Sequence, residues 1–278
     1  MSLTIFLIIL ATALVHAVWN ALLKNNGNPW DNVTAVSYAT GSISLVALFF
    51  LPLPDSASWP YLLASGGTQF YYLYLLSKVY EKGEYAVGYP LMRGLSLPFV
   101  ALFSYLFLHE VLSPSEMLGL AGISGGILLM AFSALHDLTA FKKQAGLALT
   151  CAMMVAYYMM MDGTGARLSG NSASYTVWIY LLQASGVFIF RTLRKDKGVI
   201  PIGHWNPWMV AVLSIIVYIV QLWAVTKAPI ALVSALRESS VLFSALVGFI
   251  ILREKPNLFR ILSVMVLTAG IIVFRLHF

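Results

Sequence analysis

The sequence predicts an all-α integral membrane protein with ten transmembrane helices in two inverted five-helix repeats. The composition is the first observation: 60% of the 278 residues are hydrophobic and 10% are charged, with a mean hydropathy of +0.84. About a quarter of the residues in a soluble domain are charged, so this composition excludes an ordinary soluble enzyme, a disordered chain and a nucleic-acid-binding domain. Apolar runs of roughly 20 residues, long enough to cross the hydrocarbon core, are the second observation. An internal repeat is the third.

Polar breaks and Pro/Gly-containing breaks divide the chain into ten apolar segments. The first segment is longer than the apolar part of a signal peptide, and it lacks a basic start and a small-residue cleavage site. We therefore expect it to be a retained helix. Together the segments and their short loops occupy the whole chain and leave no room for a soluble domain. The predicted spans are Leu3–Leu23, Val33–Leu53, Trp59–Tyr80, Tyr85–Leu108, Pro114–Leu135, Gln144–Met161, Ala173–Leu193, Pro207–Thr226, Pro229–Leu252 and Asn257–Leu276.

The fifth segment carries the clearest local signals. Ser113 as the N-cap, Pro114 at the first helical position and Glu116 at the third predict a capping box. Within the segment, Gly122 and Gly126 form a G-x-x-x-G motif, which predicts close helix packing inside the chain. The chain contains one cysteine, which excludes an intramolecular disulfide and a cysteine-based metal site.

The fourth and fifth predicted helices recur in the sequence as the ninth and tenth. Moving residues 93–127 by 144 positions aligns them with the later pair without gaps, and ten of the 35 positions are identical. Apolar matches are expected by chance in such a composition, but a recurring charged pair with a separation of 17 residues is not. The two pairs are Arg93 with Glu110 and Arg237 with Glu254. We expect the two glutamates, at helix–loop corners, to bind nearby basic or backbone groups.

The repeat predicts two domains of the same kind, 1–140 and 141–278, with five helices each. Because five is odd, the second domain enters the membrane from the opposite side, which makes the repeat inverted. Inverted repeats recur in secondary transporters, whose substrate sites lie near the bilayer midplane between the halves. A duplication that serves packing alone is the alternative.

The basic residues of the loops are distributed unevenly. Loops after the odd-numbered predicted helices contain 12 Lys and Arg residues, and the remaining loops contain 3. The positive-inside rule therefore predicts that the odd-numbered loops are cytoplasmic and that both termini lie outside.

Several stretches carry a family resemblance. They are Leu106–Glu110, Ile250–Glu254, Gly125–Leu129, Ala269–Val273 and the stretch His16–Asn20 followed by Lys24. Together with the length and the five-helix duplication, they resemble the drug/metabolite transporter superfamily, in its ten-helix EamA-type branch, over essentially the whole chain. The resemblance implies a multi-pass transporter of the bacterial inner membrane, often an exporter, that moves small metabolites by alternating access. It does not imply a substrate, although some members of a similar subgroup are associated with phosphonate utilisation.

Arg93 and Arg237 are the strongest candidates for a binding site. Arginine is costly in a transmembrane helix and usually faces the bundle interior or an aqueous cavity. Each lies eight residues into its helix, about 12 Å from opposite membrane faces, so in a core about 30 Å thick their depths differ by about 6 Å. Both would suit a carboxylate, phosphate or phosphonate, which a guanidinium group binds bidentately. The alternative is that a protein carboxylate neutralises each arginine, for example Glu238 or Asp162 for Arg237.

Glu238 and His16 are candidates for binding a substrate amine or a coupling proton. Glu238 is the one carboxylate well inside a predicted helix, and successive residues about 100° apart are not expected to share a helix face, so we expect Glu238 to lie away from Arg237. His16 can titrate near neutral pH; its alternative role is an interhelical hydrogen bond. Asp162, near the outer end of the sixth helix, is expected at the membrane interface.

Three neutral residues complete the predicted substrate site. Tyr89 lies one helical turn before Arg93 on the same face and is expected to shape the cavity. In the first helix, Asn20 lies one turn after His16, and Trp19 lies beside Asn20.

The sequence predicts neither an enzyme nor a cofactor or metal site. It contains no Walker loop, zinc-ligand spacing or nucleophile elbow, which argues against an ATP-driven pump and a hydrolase. The expected partners are a small-molecule substrate, membrane lipid and a coupling proton, with no nucleic acid, and the expected assembly is a monomer or a homodimer. A flippase for a lipid-linked phosphate is the alternative function, and a wide groove between helices would favour it over a small-solute transporter.

Overall fold

All regular secondary structure in the described part of the chain is helical. The computed structural model describes residues 1–22, 28–82, 85–133, 138–196, 198–250 and 258–276, without the side chains of 18–22, 82, 85–86, 138–140, 143 and 247–250. Its helices are α1 (Leu3–Leu22), α2 (Pro29–Ala47), α3 (Trp59–Lys82), α4 (Tyr85–Leu108), α5 (Pro114–Ser133), α6 (Leu138–Leu168), α7 (Ser172–Leu193), α8 (Trp205–Val225), α9 (Ile230–Arg237), α10 (Ser240–Ile250) and α11 (Leu258–Arg275).

The observed helix boundaries follow local capping signals. The predicted capping box of α5 is confirmed: the Ser113 backbone N–H donates to Glu116 Oε2 at 2.8 Å, and the Glu116 N–H donates to Ser113 Oγ at 3.3 Å. Helix α2 begins before the predicted Val33, because Asn28 Oδ1 accepts a hydrogen bond from the Trp30 N–H at 2.9 Å and a proline occupies the first helical position. Helix α6 extends beyond its predicted range at both ends.

The prediction of one continuous ninth span is wrong, because the chain divides it into α9 and α10. Glu238 is the C-cap of α9, with φ −67° and ψ −10°. The hydroxyl and the backbone N–H of Ser239 both donate to the Leu236 carbonyl oxygen, at 2.5 and 3.1 Å, in the turn between the two helices. The break places Arg237 and Glu238 at a helix end inside the predicted span.

The length, composition and surface of the helices are those of a multi-pass membrane protein. Within the described residues, six helices are long and apolar enough to cross a membrane: α4, α5, α6, α7, α8 and α11. Large apolar side chains cover the outside of the bundle; Phe49, Phe50 and Leu193, for example, are 85%, 81% and 78% exposed. An apolar surface of this extent is stable in lipid and not in water.

Helices α4 and α9 run antiparallel beside each other. At one end of the pair, Glu110 Oε2, just after α4, accepts a hydrogen bond from the Ile230 backbone N–H at the start of α9, at 2.9 Å. Near the middle of the bundle, Arg93 in the first half of α4 contacts Glu238 at the end of α9. The Arg93–Glu238 contact therefore lies far along both helices from the place where the end of α4 meets the start of α9.

Helices α2 and α7 also run antiparallel, and a buried arginine joins them at one end of the bundle. Arg191 Nη1 donates to Asp31 Oδ1 at 2.7 Å and to Thr34 Oγ1 at 3.2 Å. Its Nη2 lies 3.3 Å from Asp196 Oδ1. The backbone N–H of Gly198 donates to Asp196, and this hydrogen bond, with the charge of Arg191, holds the pKa of the Asp196 carboxyl below its ordinary value.

Glycines bring α5 and α11 into close antiparallel contact. Gly119 packs against Phe274, Gly122 against Gly270 and Gly126 against Leu267. The predicted intramolecular role of the G-x-x-x-G motif is confirmed, since its two glycines contact a helix of the same chain.

Replacing Gly126 by alanine should destabilise this contact, whereas replacing Gly125 should not. A Cβ on Gly126 would lie 2.7 Å from the Leu267 backbone nitrogen, but a Cβ on Gly125 would meet nothing within 4 Å. Overpacking of this kind costs about 1–3 kcal/mol. We expect a lower midpoint of thermal unfolding for Gly126→Ala only; equal midpoints for the two variants would contradict the packing.

Several helix–helix contacts recur when the first and second halves of the chain are exchanged. If α9 and α10 are counted as one span, exchange pairs α2 with α7, α4 with α9–α10 and α5 with α11, and each of these pairs is in contact. Under the same exchange α1 corresponds to α6 and α8 corresponds to α3. The contact between α1 and α8 therefore has a counterpart between α6 and α3, and both contacts occur.

Candidate functional site: a cavity with two buried arginines

A central cavity of about 450 Å³ lies among helices α1, α2, α3, α4, α6, α7, α8 and α9. Its walls extend from Arg93 and Arg237 to residues near the starts of α2, α4 and α8, such as Asn32, Tyr89 and Val210. These helix starts follow the loops after α1, α3 and α7. We call this end of the bundle the basic end, because the loops predicted to be cytoplasmic lie there.

Ionic and backbone contacts join the helices at the opposite end of the bundle. Arg167 Nη2 lies 2.6 Å from Glu110 Oε1. The same guanidinium group donates to the carbonyl oxygens of Val225 and Ala228, at 2.9 and 3.2 Å. Since Glu110 also accepts from the first N–H of α9, its predicted structural role is confirmed. The corresponding Glu254 lies outside the described residues. These contacts bind α4, α6, α8 and α9 together where the cavity does not extend.

The two arginines of the repeat meet at a single carboxylate oxygen. Arg93 Nη1 lies 3.0 Å and Arg237 Nη2 lies 2.8 Å from Glu238 Oε1. All three residues are buried, and both arginines line the cavity. We call these three residues the arginine–glutamate cluster. Within the described residues, the buried atoms Arg93 Nε and Glu238 Oε2 have no hydrogen-bond partner, so a donor and an acceptor of the cluster are unpaired.

Neutral polar groups hold Arg237 from the opposite wall. Its Nη1 donates to Gln221 Oε1 on α8 at 3.1 Å and lies 3.8 Å from the Met159 sulfur on α6. Gln221 Nε2 in turn lies 3.4 Å from the same sulfur. Because these contacts come from two other helices, the direction of the Arg237 side chain is fixed by the packing of α6, α8 and α9.

The expectation that Glu238 lies away from Arg237 is wrong. Residues of an unbroken helix would lie about 100° apart here, but α9 ends at Arg237 and Glu238 is its cap. At this helix end, the long arginine side chain folds back onto the neighbouring carboxylate through both Nε, at 3.3 Å, and Nη2, at 2.8 Å.

Of the four remaining predicted site residues, two line the cavity and two have side chains that the structure does not describe. Tyr89 lines the cavity, and its ring centroid lies 5.2 Å from the guanidinium carbon of Arg93, a cation–π distance. His16 also lines the cavity, is buried, and interacts electrostatically with both arginines of the cluster. The side chains of Asn20 and Trp19 lie outside the described residues.

Asp162 lies inside the helix bundle and not at the end of its helix, because α6 is longer than predicted. It is fully buried, because α6 continues to Leu168 and keeps Asp162 inside the bundle. Gln69 Nε2 donates to its Oδ2 at 2.8 Å, and the hydroxyl of Tyr218 donates to the same oxygen. The Tyr175 hydroxyl lies 3.4 Å from its Oδ1. Gln69 and Tyr218 belong to the cavity wall.

Most of the polar wall could not be singled out from the sequence. Its members share only the property of being uncharged polar residues inside apolar helices, and many such residues occur in the chain. The cavity wall includes Gln69, Gln183, Gln221, Tyr158, Tyr180 and Tyr218. Within the described residues, no three His, Cys, Asp or Glu side chains are grouped as metal ligands would be.

Comparisons with known proteins agree with this architecture. Residues 143–276 match the model of the EamA-like transporter family. No curated protein matches the sequence. Among solved structures, 29 chains match, and one of them, a crystal structure described simply as that of a protein, has a TM-score of 0.73. That match covers 98% of this chain and 95% of the other at 17% identity, which establishes similarity of fold.

Proposed function

We propose that the protein is a secondary active transporter of a small anionic or zwitterionic metabolite, because residues 143–276 match the model of the EamA-like transporter family. An amino acid, an organic acid or a phosphonate would fit this description. Transport would proceed by alternating access across the bacterial inner membrane, and the resemblance to the EamA-type branch favours export.

The arginine–glutamate cluster carries this proposal. Two guanidinium groups and one carboxylate leave a net charge of one positive unit at the wall of a cavity in an apolar protein. Such a charge is stable there only if a counter-ion or water reaches it. An acid group that enters the cavity would complete the charge balance, and a planar guanidinium binds it bidentately.

The size of the cavity favours a small solute over a lipid-linked phosphate. A volume of about 450 Å³ falls in the usual range of small-molecule sites, about 300–1,000 Å³. A flippase would need a groove that opens sideways to lipid, and helices from both halves surround this cavity instead.

The arrangement of the helices supports two inverted repeats of five spans, over residues 1–140 and 141–278. Corresponding helices run antiparallel, as an inverted repeat requires. The cavity extends toward the basic end, while Arg167 and Glu110 join the helices at the other end. In this proposal the chain is in the state that faces the cytoplasm, and rupture of the Arg167–Glu110 contact accompanies opening to the outside.

A ligand panel tests the proposed substrate class. Purified protein should be stabilised against thermal unfolding by at least one of succinate, aspartate and 2-aminoethylphosphonate, because a ligand that binds only the native state raises its stability. The same compound should be taken up by proteoliposomes above the level of empty vesicles. Stabilisation by quaternary amines alone, with no effect of any acid, would refute the anionic substrate class.

Cysteine labelling tests the direction in which the cavity opens. In a Cys151→Ala background, Ser214→Cys, in the cavity wall, should react with a membrane-impermeant maleimide added on the side of the basic loops. Substrate should slow this reaction. Lys227→Cys, exposed at the opposite end, is the matched control and should react only from the other side. Labelling of Ser214→Cys exclusively from the Lys227 side would reverse the proposed facing.

A further inference from the structure

Asp162 is a buried carboxylate in α6 that the proposed binding of an acid group does not use. It is fully buried and accepts hydrogen bonds from Gln69, Tyr218 and Tyr175, which come from α3, α8 and α7. Gln69 Nε2 also donates to Ser65 Oγ at 3.1 Å. Three helices besides its own therefore converge on this side chain.

No basic side chain forms an ion pair with Asp162 within the described part of the chain. An ionised carboxylate in an apolar interior is costly unless it is paired or well hydrogen-bonded. The hydrogen-bonding groups around Asp162 suit its neutral form as well. A protonated carboxyl group can donate a hydrogen bond to a tyrosine hydroxyl oxygen, or to the oxygen of a glutamine amide that has rotated. This environment can accommodate both protonation states.

The surroundings of Asp162 are continuous with the arginine–glutamate cluster. On α6, Met159 contacts Arg237 and Asp162 lies three residues later; on α8, Tyr218 donates to Asp162 and Gln221, three residues later, contacts Arg237. Residues three apart share a helix face. One turn of α6 and one turn of α8 thus carry both sites, and Tyr218 connects Asp162 to the cavity.

The titratable groups that interact with Asp162 are tyrosines of α6, α7 and α8, and Tyr175, already named as a hydrogen-bond partner, is one of them. Tyr158 of α6, Tyr180 of α7 and Tyr218 of α8 interact electrostatically with it. Tyr158 also interacts with the whole arginine–glutamate cluster, which α4 and α9 carry. The carboxylate of Asp162 and the cations that would hold the substrate therefore act on a common set of side chains.

We propose that Asp162 is the proton-binding residue of the transporter and that a proton and an acidic substrate occupy the cavity together. The inference rests on the proposed function. With Asp162 ionised, the four charged residues (Arg93, Arg237, Glu238 and Asp162) sum to zero; with Asp162 protonated, they sum to one positive charge, which favours an anion. By reciprocity, a bound anion favours the proton. Proton and acid then cross in the same direction, so an acid that accumulates in the cell leaves with one proton.

Infrared spectroscopy of the substrate-free, reconstituted protein tests the proton site. Wild-type protein should show a buried carboxylic-acid C=O band that appears as the pH falls, and Asp162→Asn should lack it. Asp55→Asn, which changes an exposed carboxylate, should retain it. Persistence of the band in Asp162→Asn would overturn the assignment. This measurement is independent of the substrate and decides the role of Asp162 even if the proposed substrate class fails.

Proton movement tests the coupling. Proteoliposomes loaded with succinate, aspartate or 2-aminoethylphosphonate and a pH-sensitive dye should become alkaline inside as the transported acid leaves. Asp162→Asn should lose this pH change and retain exchange of labelled for unlabelled substrate. A pH change equal to that of wild type in Asp162→Asn would overturn the proposal. If none of the three acids moves, the substrate class fails, and the infrared titration still stands.

A second variant covers the case in which Asp162→Asn does not fold. Tyr218→Phe removes one hydrogen-bond donor from Asp162 and keeps the ring that packs against Tyr180. The loss of a hydrogen bond to a charged group should move the midpoint of the infrared titration by about one pH unit. An unmoved midpoint would show that the titrating group is not Asp162.

Discussion

Replacing Arg237 by alanine should reduce transport at low substrate concentration at least about tenfold while the protein still inserts and folds. Arg237 supplies a donor to Glu238 and a donor to Gln221 at the cavity wall. Hydrogen bonds to charged groups are worth about 1.5–3 kcal/mol, so we expect the affinity for the acidic substrate to fall at least about tenfold. Folding should survive, because Arg93 still pairs with Glu238. Uptake by proteoliposomes, with the thermal midpoint measured on the same samples, checks both expectations.

Two further variants separate charge from geometry. Arg237→Lys keeps the positive charge and loses the planar fork, so its transport should lie between that of wild type and Arg237→Ala. Arg194→Ala is the matched control, since Arg194 is exposed at the end of α7 and packs over the Phe190 ring at 4.6 Å, outside the cavity. Wild-type kinetics in a folded Arg237→Ala would eliminate the arginine site.

Replacing Glu238 by glutamine should cost more stability than any single substitution of a residue that lines the cavity. Glu238 is the carboxylate that both buried arginines contact, at 3.0 and 2.8 Å. Removing one partner of a buried ion pair costs about 3–5 kcal/mol, because the remaining charge stays buried without compensation. Here two cations would lose their partner. The midpoint of thermal unfolding in detergent measures the effect.

A double-mutant cycle identifies the cause of that loss. Arg93→Gln combined with Glu238→Gln removes one of the two uncompensated cations, so the double variant should be more stable than the sum of the single effects predicts. Glu116→Gln, which weakens only the capping box of α5, serves as the control and should cost about 1 kcal/mol. Strictly additive effects of Arg93→Gln and Glu238→Gln would show that their contact contributes nothing to stability.

The charged features of this protein could be predicted from the sequence because they stand out from an apolar background. Arg93 and Arg237 are rare cations inside apolar segments, and their common separation from a glutamate made the repeat detectable. The capping box of α5 was equally visible, since it depends on neighbouring residues alone. Such features can be predicted without knowing which face each helix turns toward the interior of the bundle.

The partners of those residues could not be predicted, for two physical reasons. In a membrane protein both the lipid-facing and the interior faces of a helix are apolar, so hydropathy does not show which face carries Gln221 or Asp162. The second reason is the break between α9 and α10, at Glu238 and Ser239, which the apolar pattern of the segment does not reveal. Because of that break, Glu238 contacts both Arg93 and Arg237, whereas in a continuous helix it would lie on a different face from Arg237.

A structure of the protein with its best ligand from the acid panel tests the central claim most directly. We expect the acid group to lie in the cavity within hydrogen-bond distance of Arg93 or Arg237 and to accept a hydrogen bond from Arg93 Nε. An acid group bound elsewhere, with both guanidinium groups still closed on Glu238 and no ligand atom near them, would contradict it.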